Sequence, residues 1–194
     1  MSLISFLHKT DKDAQLMLAY VRGDAAAFEA LYRQYKDQLY RYFLRQCGSR
    51  AQSEELYQDV WLRVINARES YQPKAKFSTW LYRIAHNVLV DYWRKPQLEM
   101  DELEVDDIPQ QAVNEPTLIL GGQEKIQAYR AQLQALPEEQ REVFILKEET
   151  GLSLAEIAQT TGDSFETVKS RLRYAVKKLK QALDDNEADN IEQS

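Results

Sequence analysis

The chain is poor in the residues that build disulfide frameworks and metal sites. It has one cysteine, Cys47, so no intramolecular disulfide can form and a cysteine-rich zinc site is excluded. We expect Cys47 to be a buried, inert thiol; a redox sensor is the alternative. The only histidines, His8 and His86, are far apart in sequence with no third ligand nearby. We therefore predict no metal site and no cofactor, and no pattern of residues indicates an enzyme or a small-molecule substrate.

Glycine and proline are also scarce, with six and five residues among 194. Alanine, leucine, glutamate, glutamine, lysine and arginine are plentiful, and this mixture favours helix. No apolar run approaches the length that spans a membrane, and the apolar stretch at the start is too short for a secretion signal. We therefore expect an all-α protein that is cytoplasmic and not inserted in a membrane.

The net charge of −6 conceals two basic zones. Residues 76–95 contain four basic residues and one acidic residue, and residues 169–180 contain six basic residues and no acidic one. Between them, residues 96–117 contain seven acidic residues, three prolines and no basic residue, which is typical of a solvated linker. The local clusters are therefore more informative than the net charge.

These shifts in composition predict two small helical domains joined by an acidic, flexible linker. The predicted boundaries are an N-terminal helical domain over residues 1–95, the linker over 96–116, a helix-turn-helix domain over 117–183 and an acidic tail, expected to be solvated and disordered, over 184–194.

Helical periodicity predicts three long helices in the N-terminal domain. Asp24 is the expected N-cap of the first helix, and the second is expected to begin near Ser53. The third helix is expected to be capped by Ser78 or Thr79.

This third predicted helix, KFSTWLYRIAHNVLVDYWRK, combines two tryptophans with its basic residues. Its apolar residues recur at helical spacing and predict a buried stripe. The members of the stripe are Leu81, Ile84, Ala85, Val88, Leu89 and Tyr92. The polar and basic residues are left for the outer faces, and Trp80 could serve as core or as a platform for base stacking.

The segment GLSLAEIAQTTGDSFETVKSRLRYAVKKLK predicts a helix-turn-helix. Ser153 and Glu156 form a capping box at the start of a short helix. Gly162 marks a tight turn, and Asp163 with Glu166 forms a second capping box before a basic helix. The second helix of this motif enters the major groove of DNA. The alternative is a helical hairpin whose basic face is merely solvated.

In this order, SEELYQDVWLRV, KFSTWLYRIAHNVLVDYWRK and the helix-turn-helix segment resemble bacterial sigma factors of the sigma-70 family. The likeness extends from Asp13 to Leu183 and is strongest to the small extracytoplasmic-function type. It implies a non-enzymatic subunit that binds core RNA polymerase and promoter DNA and is controlled by an anti-sigma factor.

The resemblance also implies three sets of site residues. The residues expected to bind core polymerase are Glu55, Gln58, Asp59, Leu62 and Arg63. The residues expected to bind the minus-ten element are Lys74, Lys76, Ser78, Thr79, Trp80, Arg83, Asn87, Arg94 and Lys95. The residues expected to bind the minus-thirty-five element, in and just after the helix-turn-helix of residues 153–173, are Ser164, Thr167, Lys169, Ser170, Arg171, Arg173, Tyr174 and Lys177.

The chain departs from primary sigma factors at Arg83 and Ile84, where those proteins carry a tryptophan pair for strand melting. This difference implies weaker intrinsic melting, and the negative net charge predicts weak promoter binding by the isolated chain. Two alternatives remain at this point. One is a freestanding helix-turn-helix transcriptional regulator, and the other is a helical protein-binding adaptor.

Overall fold

The computed structural model describes residues 11–94 and 122–192, and it describes side chains over residues 11–94 and 127–181. Within these ranges the chain is helical and has no strand, which confirms the predicted all-α class. The helices are α1 (Lys12–Val21), α2 (Ala25–Cys47), α3 (Arg50–Asn66), α4 (Phe77–Arg94), α5 (Gly122–Gln134), α6 (Glu138–Thr150), α7 (Leu154–Thr161) and α8 (Phe165–Glu192), with a 3-10 turn at Arg68–Ser70. The predicted linker over 96–116 lies outside the described residues, as does Lys95.

In the two described ranges, the structure has no helix with the length and hydrophobicity needed to cross a membrane.

The first two long helices begin at side-chain caps. Asp24 accepts hydrogen bonds from the amides of Ala26 and Ala27, at 3.0 and 3.3 Å, so the predicted cap of α2 is confirmed. The predicted start of α3 near Ser53 is wrong, because the cap is Ser49. Ser53 lies inside the helix, fully buried, and donates its hydroxyl to the carbonyl of Ser49 at 2.5 Å.

Helix α4 receives its cap from a distant part of the chain. Asp11 Oδ2 accepts a hydrogen bond from the amide of Phe77 at 2.8 Å, while Asp11 Oδ1 accepts one from the amide of Asp13 at 3.1 Å. One carboxylate therefore satisfies the first turns of both α1 and α4. The predicted caps Ser78 and Thr79 are wrong, and Thr79 is buried with no hydrogen-bond partner for its hydroxyl.

The buried face of α4 fixes the helix against α1, α2 and α3. Leu81, Ala85, Val88 and Leu89 are buried as predicted, and Ile84 and Tyr92 are half-buried at the edge of the stripe. Two aromatic residues that the stripe omitted, Phe77 and Tyr82, are fully buried. Because this face is committed to the core, the opposite face of α4 must point outward.

The C-terminal helices form the predicted helix-turn-helix. Helix α6 ends at the C-cap Gly151, and α7 ends at Gly162, which has a φ of 79°. This left-handed conformation favours glycine because it has no Cβ. Helix α8 continues to Glu192, so the prediction of a disordered tail from residue 184 is wrong over the described backbone.

The helices after the undescribed segment pack against those before it. Helix α7 contacts α4, and helix α6 contacts α2. The helix-turn-helix therefore lies beside the outer part of α4 rather than apart from the N-terminal helices.

The double cap predicts a graded effect of two Asp11 variants on stability. Asp11→Ala removes the acceptors of both helices and should lower the free energy of unfolding by about 1–2 kcal/mol. Asp11→Asn keeps one acceptor oxygen and should lose about half as much. Urea unfolding followed by circular dichroism measures both, and equal losses in the two variants would contradict the double cap.

Candidate nucleic-acid interface

The outward face of α4 carries basic and aromatic side chains. Arg83, Asn87 and Arg94 are exposed, and they follow Trp80 by three, seven and fourteen residues, which places all four on one side of the helix. Lys74 and Lys76 are exposed just before the helix. We call these six residues the α4 face. It can offer cations to phosphates and an aromatic ring to a base.

Trp80 is half-buried and rests on other aromatic rings. Its ring centroid lies 4.9 Å from that of Tyr71 in an edge-to-face arrangement and 5.7 Å from that of Phe77. Tyr71 and Phe77 are themselves buried. Trp80 therefore packs and remains partly accessible at the same time, and the rings beneath it restrict its motion.

Two other predicted residues of this region are less available. Thr79 is 3% exposed, so its predicted contact with DNA is wrong: the residue faces the core. Ser78 is half-buried in the first turn. Lys95 lies outside the described residues.

The start of the helix-turn-helix has the predicted capping box. The amide of Glu156 donates to Ser153 Oγ at 3.3 Å, and the amide of Ser153 donates to Glu156 Oε2 at 2.8 Å. The second predicted capping box is wrong. Helix α8 is capped by Ser164, whose Oγ accepts from the amide of Thr167 at 3.1 Å.

Most predicted residues of α8 share an open surface. The exposed ones are Ser164, Lys169, Arg173, Tyr174 and Lys177, with Thr167 and Ser170 half-buried beside them. We call these seven residues the α8 face. The guanidinium of Arg173 lies 5.2 Å from the centre of the Tyr174 ring, a cation–π contact.

Arg171 does not lie with this set. Its guanidinium forms an ion pair with Asp163, and its side chain is 27% exposed. Arg171 must leave Asp163 before it can contact a base edge. Asp163, which the sequence assigned to a capping box, is thus the ion-pair partner of Arg171 instead.

A third surface lies on α3. Glu55, Gln58 and Leu62 are exposed, with Asp59 and Arg63 half-buried beside them. We call these five residues the α3 face. Leu62 is 58% exposed, which is unusual for a large apolar side chain.

Arg63 is held in place by two carboxylates. Its Nη2 lies 3.0 Å from Asp59 Oδ2 and 3.2 Å from Asp91 Oδ2 on α4. The α3 face therefore consists of an apolar centre beside a fixed cluster of charges.

The α4 face and the helix-turn-helix meet. Lys76 Nζ lies 2.8 Å from Glu156 Oε1 on α7. Deeper in the contact, Glu142 Oε1 on α6 accepts a hydrogen bond from Tyr42 Oη at 2.7 Å and lies 2.8 Å from His86 Nδ1. The contacts among Tyr42, His86 and Glu142 could not be predicted from sequence, because up to 100 residues separate the partners and no local pattern connects them.

The family models and the relatives that this chain resembles indicate the same family. Residues 31–98 match Sigma-70 region 2, and residues 126–179 match Sigma-70 region 4. The ECF RNA polymerase sigma factor SigW of Bacillus subtilis is 31% identical over 84% of this chain and 92% of its own length. The ECF RNA polymerase sigma factor SigE of Mycolicibacterium smegmatis is 33% identical over 83% of this chain and 64% of its own length.

A solved structure has a similar fold. It is the sigma factor RpoE in complex with the anti-sigma factor NepR from Bartonella quintana. The TM-score is 0.65 at 22% identity, and the match covers 81% of this chain and 96% of that one.

The environment of His86 makes stability depend on pH. Burial lowers the pKa of His86, but the hydrogen bond to Glu142 and the charges of Glu142 and Asp163 outweigh both burial and the opposing charge of Arg171, so the pKa is raised above 6.5. The stabilisation is complete below the ordinary pKa and is lost as pH rises through the raised one.

We expect the free energy of unfolding to be smaller at about pH 8 than at about pH 6, and His86→Gln should reduce this difference. Urea titrations of both proteins at the two pH values measure it. The same pH dependence in both proteins would rule out His86 as the cause.

Proposed function

Since the chain belongs to the sigma-70 family, in its extracytoplasmic-function group, we propose that it is a promoter-specificity subunit of RNA polymerase. It binds core polymerase through the α3 face and directs initiation by contacting two promoter elements. The observation that carries this proposal is the presence, in one chain, of three separate outward faces of the kinds that these contacts require.

The α4 face suits the minus-ten element. Strand opening exposes unpaired bases, and an accessible aromatic ring on a fixed support can stack on one of them. The neighbouring cations Lys76, Arg83 and Arg94 suit the phosphates of the same strand. In this proposal Trp80 holds a base while the basic residues hold the backbone.

The α8 face suits the minus-thirty-five element. The second helix of a helix-turn-helix lies in the major groove, with its first turns near the base edges. Lys169 and Arg173 can donate to guanine, and Lys177 can contact phosphate. Arg171 adds a donor only after it leaves Asp163.

The proposal extends to regulation and location. An anti-sigma factor would control the protein by covering faces that polymerase or DNA needs, and the fold shared with RpoE, solved with NepR, supports this. The protein would act in the cytoplasm, where polymerase and promoters are, and would have no enzymatic activity of its own.

The two alternatives from sequence are not favoured. Relatives that are sigma factors align over more than 80% of the chain, whereas a regulator or an adaptor would need a different role for the first domain. No contact in the described residues points to either.

Run-off transcription tests the proposal. The chain, added to core polymerase and a promoter library, should produce specific start sites, and Leu62→Glu should abolish most of them. Truncation of a hot-spot residue at an interface costs about 2 kcal/mol or more; if Leu62 is such a residue, a charge at its position should cost at least as much.

Ala30→Glu, at an exposed site of α2 outside the α3 face, is the control for the added charge and should behave like the original chain. Absence of specific transcripts with the folded original chain would refute the proposal. Equal activity of Leu62→Glu and Ala30→Glu would instead refute the assignment of the α3 face.

Two variants of α8 should separate base contacts from phosphate contacts. Arg173→Ala should reduce discrimination at one base position by about 1–3 kcal/mol, while Lys177→Ala should weaken binding to all sequences alike and lower the salt slope by about 1. Transcription from single-base variants of the upstream element, measured at several salt concentrations, distinguishes the two patterns. The same pattern in both variants would contradict the assignment.

A further inference from the structure

One acidic side chain lies in the middle of the basic surface of α8. Glu166 is the second residue of the helix and its only acidic residue before Asp184. It precedes Ser170, Arg173 and Lys177 by four, seven and eleven residues, the spacings that place side chains on one face of a helix. Glu166 is exposed, so it points in the same direction as the residues proposed to contact the minus-thirty-five element.

The stability of α8 gains little from this carboxylate. The helix is capped by Ser164, which accepts from the amide of Thr167, and not by Glu166. Glu166 Oε2 lies 3.7 Å from Lys169 Nζ, and the two side chains are 76% and 61% exposed. Exposed ion pairs of this kind contribute little to stability, and a negative charge is favourable near the start of a helix from any side of its first turn. Stability alone therefore does not explain an acidic residue at the centre of this face.

An acidic residue on a DNA-binding face opposes binding to most sequences. The phosphates repel it, and so do the acceptor atoms on the base edges of the major groove. Guanine presents two acceptors there, and thymine presents one beside its methyl group. The donors are the amino groups of cytosine and adenine, and that of adenine lies beside the acceptor N7. Cytosine is therefore the base that a carboxylate can contact in this groove without meeting an acceptor on the same base.

Lys169 supplies the opposite charge beside the carboxylate. In a C·G base pair, cytosine N4 donates to guanine O6, so a donor and an acceptor lie side by side in the groove at about 2.9 Å. The 3.7 Å between Glu166 Oε2 and Lys169 Nζ is a similar separation. The carboxylate can accept from N4 while the ammonium group donates to O6 or N7 of the partner guanine. If the base pair is reversed, the carboxylate faces O6 and the ammonium group faces N4, so both contacts become repulsive.

We propose that Glu166 and Lys169 together recognise one C·G base pair of the minus-thirty-five element, with cytosine facing Glu166 and guanine facing Lys169. This inference rests on the part of the proposed function that places α8 in the major groove, where the first turns of a recognition helix contact base edges. Glu166 is then a specificity-determining residue. It lowers the affinity for most sequences and spares those that present a cytosine amino group at its position.

The base pair proposed for Glu166 and Lys169 differs from the one proposed for Arg173. Arg173 follows Glu166 by seven residues, which is about 10 Å along the helix at roughly 1.5 Å per residue. That distance corresponds to about three base pairs at roughly 3.4 Å each. Variants of Glu166 and Lys169 should therefore affect the same base pair, and Arg173→Ala should affect another.

Replacement of Glu166 by glutamine tests the assignment, because the two side chains have nearly the same shape. Glutamine pairs with adenine through N6 and N7. Glu166→Gln should therefore lose about tenfold in activity on the original C·G sequence and change the preferred base at that position from cytosine to adenine. Lys169→Ala should weaken discrimination at the same base pair without a new preference for adenine. Run-off transcription by polymerase with each full-length variant, from promoters with all four bases at each position of the element, measures both effects.

Glu139→Gln is the matched control for the loss of a first-turn charge. Glu139 is the second residue of α6 and is exposed, so its replacement removes the same charge from the same position of a different helix. It should leave the base preference unchanged. An unchanged preference in Glu166→Gln would overturn the proposal. A loss of activity in Glu166→Gln that is equal for all four bases would also overturn it, because a purely structural role predicts that pattern.

Absence of specific transcripts from the folded original chain would refute the proposed function, and a second measurement then decides on the base pair. The full chain without polymerase selects duplexes from a random pool at low salt, where phosphate contacts are strongest. A C·G pair that is enriched by the original chain and by Glu139→Gln, but not by Glu166→Gln, would support the proposal without transcription. Absence of such a pair would overturn it.

Discussion

The structure of the N-terminal domain depends on helix α4, which has one apolar face buried in the core and an opposite face directed toward solvent. Leu81, Ala85, Val88 and Leu89 are removed from water against α1 to α3, and this burial sets the rotation of the helix about its axis. Trp80, Arg83, Asn87 and Arg94 are then directed outward by geometry alone. A shift of one residue along α4 would turn the whole helix by about 100°, so the core and the candidate interface cannot change independently.

Features that depend on near neighbours in the chain could be predicted from sequence. The capping box of Ser153 and Glu156 and the turn at Gly162 follow from residues a few positions apart, and both were correct. The start of α3 was wrong because Ser49 and Ser53 are equally acceptable caps, and only the burial of Ser53 decides between them. The prediction that a disordered tail begins at residue 184 was wrong because an acidic composition indicates solvation and does not exclude helix.

Features that depend on distant residues could not be predicted. Asp11 caps α4 from 66 positions away, so the nearby Ser78 and Thr79 were the only candidates in sequence. Arg171 was assigned to DNA from its type, and its engagement with Asp163 follows from the course of the turn before α8. The Tyr42–Glu142 contact spans 100 positions, and a tyrosine inside an apolar stripe gives no sign of a carboxylate partner. The family resemblance and helical spacing therefore predicted the members of the three faces, and packing decided which of those members are exposed.

Because α8 is one continuous helix, its basic and acidic residues lie at opposite ends of the same element. Its 28 residues span about 42 Å at roughly 1.5 Å per residue. Six basic residues lie in its first part, and acidic residues dominate its last turns. This order is the reverse of the one that the helix dipole favours. A helix charged in this way becomes oriented near a polyanion, because its basic part is attracted and its acidic part is repelled. The helix would thus approach a duplex in one direction before any base is recognised.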